Sequence, residues 1–118
     1  MPIKLKRAYE PATPRDGHRV LVDRLWPRGR SKDQLQIDEW LKEVAPSDKL
    51  RRWFHQDESR WSEFRRRYLS ELKTHRETLR KLAARAEQER ITLIFSATNA
   101  DHNNAVVLKQ YLRMLSRD

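Results

Sequence analysis

A five-residue run of apolar and β-branched side chains, from Ile91 to Phe95, constrains the fold more than any other feature. A continuous apolar run of this length is typical of a strand that is buried on both faces. A polar loop follows over residues 96–104, and residues 105–117 then show the spacing of an amphipathic helix. The order of strand, loop and helix therefore predicts an α/β fold in which Ile91 to Phe95 form a central strand.

The beginning of the chain predicts two more strands. Residues 3–9 alternate between apolar and basic side chains, which indicates a half-buried strand. Residues 19–23 contain the apolar run Val20, Leu21 and Val22, and Pro27 and Gly29 then end regular structure. Open α/β sheets bind ligands where their strands end, so residues 23–29 are a candidate binding loop.

Helical spacing dominates the middle of the chain. Ser31 and Ser47 are expected helix N-caps, and helices are expected around residues 61–72 and 77–89. Residues 35–44 are predicted to be helical or irregular, because they fit a strand less well. Together these elements predict a single compact domain over residues 1–118, of the α/β class, with helices packed around a small and at least partly parallel sheet.

Composition excludes several classes of site. The chain has no cysteine, which rules out disulfides, thiolate metal sites and cysteine nucleophiles. The four histidines lack a recognised metal spacing, so no metal is predicted, although His18, His55 and Asp57 could converge in the fold. No apolar stretch approaches the roughly 20 residues that cross a bilayer, and no signal peptide is evident. We therefore expect a cytoplasmic protein without a membrane partner.

The formal net charge is +9, and the excess comes from residues 1–30 and 61–90. Such a charge attracts nucleic acids and other polyanions. The simpler interpretation of residues 61–90 is that their arginines are solvated side chains on the exposed faces of helices.

The loop that follows the second strand concentrates groups that recognise anions. Arg24 and Arg28 offer bidentate donors for a phosphate or a carboxylate. Trp26 either stacks on a planar group or packs in the core. Arg24 alternatively forms a structural ion pair with Asp23 or Asp101.

The loop before the last helix supplies a second set of polar side chains, including Ser96 and Asn103. Free backbone N–H groups at the start of that helix attract anions, and Asp101 is its expected N-cap. His102 is either an acid–base group near neutral pH or a surface residue. Ser96 lacks the Gly-x-Ser-x-Gly pattern of a nucleophile. If the strands at Val20 and Ile91 are parallel neighbours, both loops lie at one edge of the sheet.

Four parts of the chain resemble the YeaO-like family of small bacterial proteins: residues 20–29, residues 45–47 with 50–54, residues 61–64 with 67–68, and residues 91–104. This resemblance runs in order through almost the whole chain. It implies a compact cytoplasmic α/β protein and no established activity. Members are sometimes labelled MarR-type regulators, but this sequence shows no clear recognition helix or winged hairpin.

These observations predict one site for a small phosphate- or carboxylate-bearing ligand, built from residues 23–29 and 96–104. Asp23 and His102 are the candidate acid–base residues if the site is enzymatic. The candidate ligand-binding residues are Arg24, Trp26, Arg28, Ser96 and Asn103.

Two alternatives to this site are open. The first is a regulatory nucleic-acid-binding protein that uses the arginines of the central helices: Arg65, Arg66, Arg67, Arg76, Arg80 and Arg85. The second is an interaction module with an exposed aromatic surface, which the four tryptophans of the chain suggest. The sequence leaves the ligand, the reaction, any cofactor and the choice between monomer and homodimer undetermined.

Overall fold

A computed structural model describes residues 3–116 of the chain. The strands and helices in chain order are β1 (Ile3–Arg7), β2 (His18–Leu21), α1 (Lys32–Leu35), β3 (Glu39–Trp40), α2 (Asp48–Gln56), α3 (Trp61–Leu72), α4 (Arg76–Gln88), β4 (Ile91–Phe95) and α5 (Asn104–Ser116). The expected end of the last helix at residue 117 lies outside the described residues. None of the helices in the described part of the chain is long and apolar enough to cross a membrane.

The four strands form one sheet in the order β1-β4-β2-β3, and each neighbouring pair is parallel. All five residues of β4 are buried, which confirms the prediction that Ile91 to Phe95 form a central strand. Val20 of β2 lies opposite Leu93 of β4. The predicted α/β class with a parallel sheet is therefore confirmed, and β2 and β4 are parallel neighbours.

Helices α2 to α5 cover one face of the sheet. Side chains at alternate positions of the strands, such as Val20 and Leu93, join the buried side chains of these helices in one apolar cluster. Phe64 and Tyr68 of α3 and Leu112 of α5 belong to it. Burial of this stripe on each helix explains why helical spacing is so clear in the sequence.

The opposite face of the sheet is covered mainly by loops and by the short helix α1. At the carboxyl ends of the strands it holds a second apolar cluster, in which Leu21 and Ile94 contact Leu35 and the half-buried Trp26 and Trp40. At the amino ends of the strands it is ionic. This face therefore contributes less apolar packing than the helical face.

Asp16 is the centre of the ionic region, and it is fully buried. Its carboxylate accepts hydrogen bonds from Lys6 Nζ at 3.1 Å, from the Thr13 N–H at 3.0 Å and from Arg19 Nη1. Burial alone would raise the pKa of Asp16, but the hydrogen bonds from Thr13, Lys6 and Arg19 lower it to about 2. Gly17 follows at a φ of 66°, and a Cβ there would lie 2.3 Å from the Arg90 carbonyl oxygen, so only glycine fits.

The local predictions have mixed outcomes. Ser31 and Ser47 are N-caps, since their hydroxyls accept hydrogen bonds from the N–H groups of Gln34 and Leu50. The interpretation of residues 35–44 is wrong in part, because Glu39–Trp40 pair with β2 as the edge strand β3. A two-residue strand leaves too short a period-two pattern to be read from sequence.

Candidate functional site

The two candidate loops leave the sheet at the same edge, because β2 and β4 are parallel neighbours. The Asp23 carboxylate joins them. Its Oδ2 accepts a hydrogen bond from the Ser96 N–H at 2.9 Å, and its Oδ1 accepts one from Asn104 Nδ2 at 3.0 Å. Asn104 Nδ2 also donates to the Val22 carbonyl oxygen at 3.1 Å. The Asp23 carboxylate therefore holds the two loops and the start of α5 in fixed positions relative to one another.

Burial raises the pKa of Asp23 above its usual range, and the hydrogen bonds from Asn104 and Ser96 oppose that rise. The Asp23 backbone carbonyl accepts a hydrogen bond from the Trp40 indole at 2.7 Å. These contacts give Asp23 a structural role. Its predicted role as an acid or base stays a prediction.

Arg24 is half-buried and connects its loop to the chain before α2. Its guanidinium donates to the carbonyl oxygens of Ala45 at 3.3 Å and Pro46 at 3.5 Å. The Arg24 Nε lies 3.8 Å from Asp48 Oδ1. The alternative pairing with Asp23 or Asp101 is therefore replaced by a pairing with Asp48.

Trp26 is held by two contacts. Its indole N–H donates to the Arg30 carbonyl oxygen at 2.6 Å, and its ring meets Trp40 edge-to-face at 5.5 Å between centroids. The Arg28 side chain is exposed, and the Arg28 carbonyl accepts a hydrogen bond from the Tyr9 hydroxyl at 3.1 Å. The core interpretation of Trp26 is thus supported by its packing, although the residue also borders the cavity described below.

The loop before α5 is organised by two asparagines. Asn99 Oδ1 accepts hydrogen bonds from the N–H groups of Asp101 and His102, both at 2.9 Å. Asn103 is buried, and its Oδ1 accepts from the Val106 N–H at 3.0 Å. The N-cap of α5 is therefore Asn103, and the expectation for Asp101 is wrong.

Capping also changes what the start of α5 can offer to a ligand. Asn103 Nδ2 donates to the carbonyl oxygens of Asn99 and Ala100, so its amide is used within the loop. The Val106 N–H, which an anion could have met, is bonded to the cap. Direct ligand binding by Asn103 stays a prediction, and these contacts do not favour it.

Ser96 and His102 differ in how they are held. The Ser96 hydroxyl is buried, and it lies near enough to lower the Asp23 pKa, yet its geometry completes no hydrogen bond within the described structure. The His102 side chain is exposed, and its ring stacks on Trp61 at 4.6 Å with 13° between the planes. The stack orients the imidazole, whereas the serine hydroxyl keeps its hydrogen-bonding capacity.

The structure brings every predicted site residue to one cavity of about 520 Å³. The predicted residues that border it are Asp23, Arg24, Trp26, Arg28, Ser96, His102 and Asn103. Their placement at one cavity is an observation, and their roles in binding or catalysis stay predictions.

Sequence reasoning missed the side of the cavity that α2 and α3 supply. Arg51, Phe54 and His55 come from α2, and Phe64 comes from α3. The Arg51 Nε is buried without a hydrogen-bond partner in the described structure, while its Nη2 lies 3.4 Å from Asp48 Oδ1. Arg51 follows the N-cap Ser47 by one helical turn. Only the three-dimensional packing of α2 against the loops shows that it points toward the site.

Among residues 3–116, no group of three or more histidine, aspartate or glutamate side chains could hold a metal ion. His18 Nε2 instead lies 3.0 Å from Glu39 Oε1. The convergence of His18, His55 and Asp57 is thus not found.

Comparison with known proteins identifies the family. The family DUF488-N3i, described as the inactive DUF488-N3 subclade, matches residues 2–117. The chain belongs to this family. It is 47% identical over 115 residues to the uncharacterized protein YeaO of Escherichia coli, covering 98% of this chain and 100% of that protein. The predicted resemblance to YeaO-like proteins is therefore confirmed.

Two mycobacterial relatives are more distant members of the same set. The uncharacterized proteins Mb3100c of Mycobacterium bovis and Rv3073c of Mycobacterium tuberculosis are each 40% identical over 112 residues. Each match covers 93% of this chain and 92% of the relative. No solved structure matches the chain.

Proposed function

We propose that this protein binds a small organic anion, with a phosphate or a carboxylate, in the cavity between the two loops. Three arginines, Arg24, Arg28 and Arg51, border the cavity. The carboxyl groups that border it are Asp23 and Glu58. Burial raises the Asp23 pKa, so a negative charge on that carboxyl is less favourable there than in water. The balance of charge therefore favours an anionic occupant.

The observation that carries the proposal is that two residues bordering the cavity, Arg51 and Ser96, each have a buried side-chain polar atom without a completed hydrogen bond in the described structure. Three buried side-chain polar atoms lack a partner within residues 3–116, and two of them are Arg51 Nε and Ser96 Oγ. Buried polar groups without a partner are rare in folded proteins, and each costs about 1–3 kcal/mol. An anion that accepts from both would remove that cost.

Binding is favoured over catalysis by the family and by the contacts of the candidate acid–base residues. The family is described as an inactive subclade. Both Asp23 oxygens already accept hydrogen bonds that hold the loops, and the His102 ring is stacked on Trp61. We therefore assign Asp23 and His102 to the architecture of the binding site, with acid–base chemistry as the alternative.

Arg51 and Arg52 provide a matched pair for the test. They are neighbours on α2, but Arg51 borders the cavity and Arg52 is exposed. Thermal shift and calorimetry with orthophosphate, sugar phosphates, nucleotides and small carboxylates measure binding. Arg51→Met is expected to weaken the best of these about tenfold or more, since a charge-assisted hydrogen bond is lost, whereas Arg52→Met leaves it unchanged.

A Ser96→Ala variant is expected to weaken the same compound about threefold to tenfold, because a neutral hydrogen bond contributes less than a charged one. Absence of binding by every compound of this panel at millimolar concentration would contradict the proposal. Equal affinity of the Arg51 and Arg52 variants would contradict the placement of the site.

The nucleic-acid alternative draws less support from the structure. Arg66 and Arg67 both pair with Glu63, and Arg85 pairs with Glu89. Arg65 donates to Gln110 at 2.7 Å. Arginines that already have partners on their own surface have less to gain from phosphate contacts. Binding to duplex DNA that weakens steeply with salt would reverse this preference.

A further inference from the structure

The cavity is larger than a simple anion requires. Its volume of about 520 Å³ falls within the range of roughly 300–1,000 Å³ that is typical of sites for organic molecules. The unsatisfied groups Arg51 Nε and Ser96 Oγ account for one small part of its wall. A ligand that fills the cavity therefore has a body in addition to its anionic group.

Four aromatic residues of the two apolar clusters also border the cavity, and they come from both sides of the sheet. Phe54 and Phe64 belong to the helical face and stack on each other at 4.3 Å between centroids. Tyr9 and Trp26 pack with the apolar cluster of the opposite face. All four border the cavity. The body of the ligand thus meets rings from two directions.

Trp26 is the ring best prepared to receive a planar partner. It is only half-buried, and the hydrogen bond to the Arg30 carbonyl together with the edge-to-face contact with Trp40 fixes its orientation. A ring that is already fixed loses little conformational entropy when a ligand packs on it. Aromatic pairs in offset or edge-to-face geometry are favourable beyond the area that they bury.

We propose that the bound anion carries a planar aromatic ring, which packs against Trp26 while its phosphate or carboxylate meets Arg51 and Ser96. This inference rests on the proposed function and adds the chemical class of the ligand. A phosphate and a carboxylate can each accept hydrogen bonds from Arg51 and Ser96. The probes below therefore include both anionic groups.

Two pairs of probes isolate the contribution of planarity. Phenyl phosphate and cyclohexyl phosphate have the same charge and similar size, but only the first is planar. Benzoate and cyclohexanecarboxylate form the corresponding carboxylate pair. Calorimetry of the full chain is expected to show that the planar member of at least one pair binds about fivefold more tightly than its saturated counterpart. The pair with the higher affinity identifies the anionic group.

Trp26 and Trp53 supply the matched variants. Both side chains are half-buried, but of the two only Trp26 borders the cavity. Trp26→Leu is expected to bring the ratio between planar and saturated probes close to one. Trp53→Leu is expected to keep the ratio of the wild type. Should Trp26→Leu fail to fold, the indole N–H resonance of Trp26 in the wild type is expected to shift more with phenyl than with cyclohexyl phosphate.

The outcomes separate this inference from the proposed function. If both members of a pair bind equally and Arg51→Met weakens both, the anion site stands and the aromatic ring is wrong. If planar probes are preferred but Trp26→Leu keeps that preference, the ring packs elsewhere and the inference is overturned. If none of the four probes binds at millimolar concentration, this inference is overturned, and the anion site fails with it only if no compound of the first panel binds.

Discussion

Helices α2 to α5 cover one face of the sheet with apolar side chains, whereas loops cover the other face and bury a carboxylate there. On the helical face Leu93 and Leu112 contribute to a continuous core, in which each side chain has many neighbours. On the loop face Asp16 depends on a few donors, which are Thr13, Lys6 and Arg19. The first face gains stability from area, and the second from the completeness of one set of hydrogen bonds.

The two faces should therefore respond differently to substitution. Apolar contacts are numerous and each is small, so the loss of one side chain is shared among its neighbours. A buried charge that loses its partner retains its whole desolvation cost. Four predictions follow this contrast from the largest expected effect to the smallest.

Replacement of Asp16 is expected to have the largest effect. Asp16→Ala leaves Arg19 buried without its counter-charge, and we expect the free energy of unfolding to fall by about 3–5 kcal/mol in urea denaturation. Asp33→Ala, at an exposed position in α1, is the control and should change it by less than about 0.5 kcal/mol. The double variant Asp16→Leu with Arg19→Met should recover part of the loss, since Lys6 and the Thr13 N–H still lack their acceptor. No recovery at all would show that the unpaired Arg19 charge does not cause the loss.

Truncation on the helical face is expected to come next. Leu112→Ala in α5 removes a fully buried side chain, and we expect a loss of about 3 kcal/mol by the same measurement. Met114→Ala in the same helix is the control, since its side chain is 52% exposed. If both variants lost the same stability, α5 would not pack as described.

Acid should weaken the loop face through Asp16. The pKa of Asp16 is about 2 in the folded chain and near 3.8 in the unfolded chain. The unfolded chain therefore takes up the proton first as the pH falls. The stabilisation is complete above about pH 4 and is lost as the pH falls through 2, by up to about 2 kcal/mol. In urea titrations at pH 5, 3.5 and 2.5, the stability difference between wild type and Asp16→Asn should shrink. A constant difference would contradict the hydrogen-bonded carboxylate.

Helix caps on the two faces are expected to give the smallest effects. Ser47 caps the nine-residue α2 and also donates to Glu71 at 2.7 Å, so Ser47→Ala should cost about 1 kcal/mol. Ser31 caps the four-residue α1 at an exposed position, and Ser31→Ala should cost less. Thermal denaturation compares the two variants. A larger loss at Ser31 would mean that α1 stabilises the loop face more than its length suggests.

Sequence patterns predicted which two loops border the cavity better than they predicted the contacts within them. They selected Asp23, Arg24 and Ser96, since strand ends in α/β sheets are where ligands bind and these residues follow two apolar runs. They did not select Arg51, because nothing in the neighbouring sequence shows which arginine of a helix faces a cavity and which faces solvent. They placed the cap of α5 at Asp101, because aspartate and asparagine at neighbouring positions are equally good caps.

The sequence by itself determined the α/β class, the buried strand Ile91–Phe95 and the caps at Ser31 and Ser47, because periodicity and capping depend on residues close in the chain. Only the tertiary structure decided that Asp23 bonds to Ser96 and Asn104 and that Arg51 reaches the cavity. Those contacts join residues tens of positions apart, and which of many polar side chains meet depends on how the helices pack on the sheet.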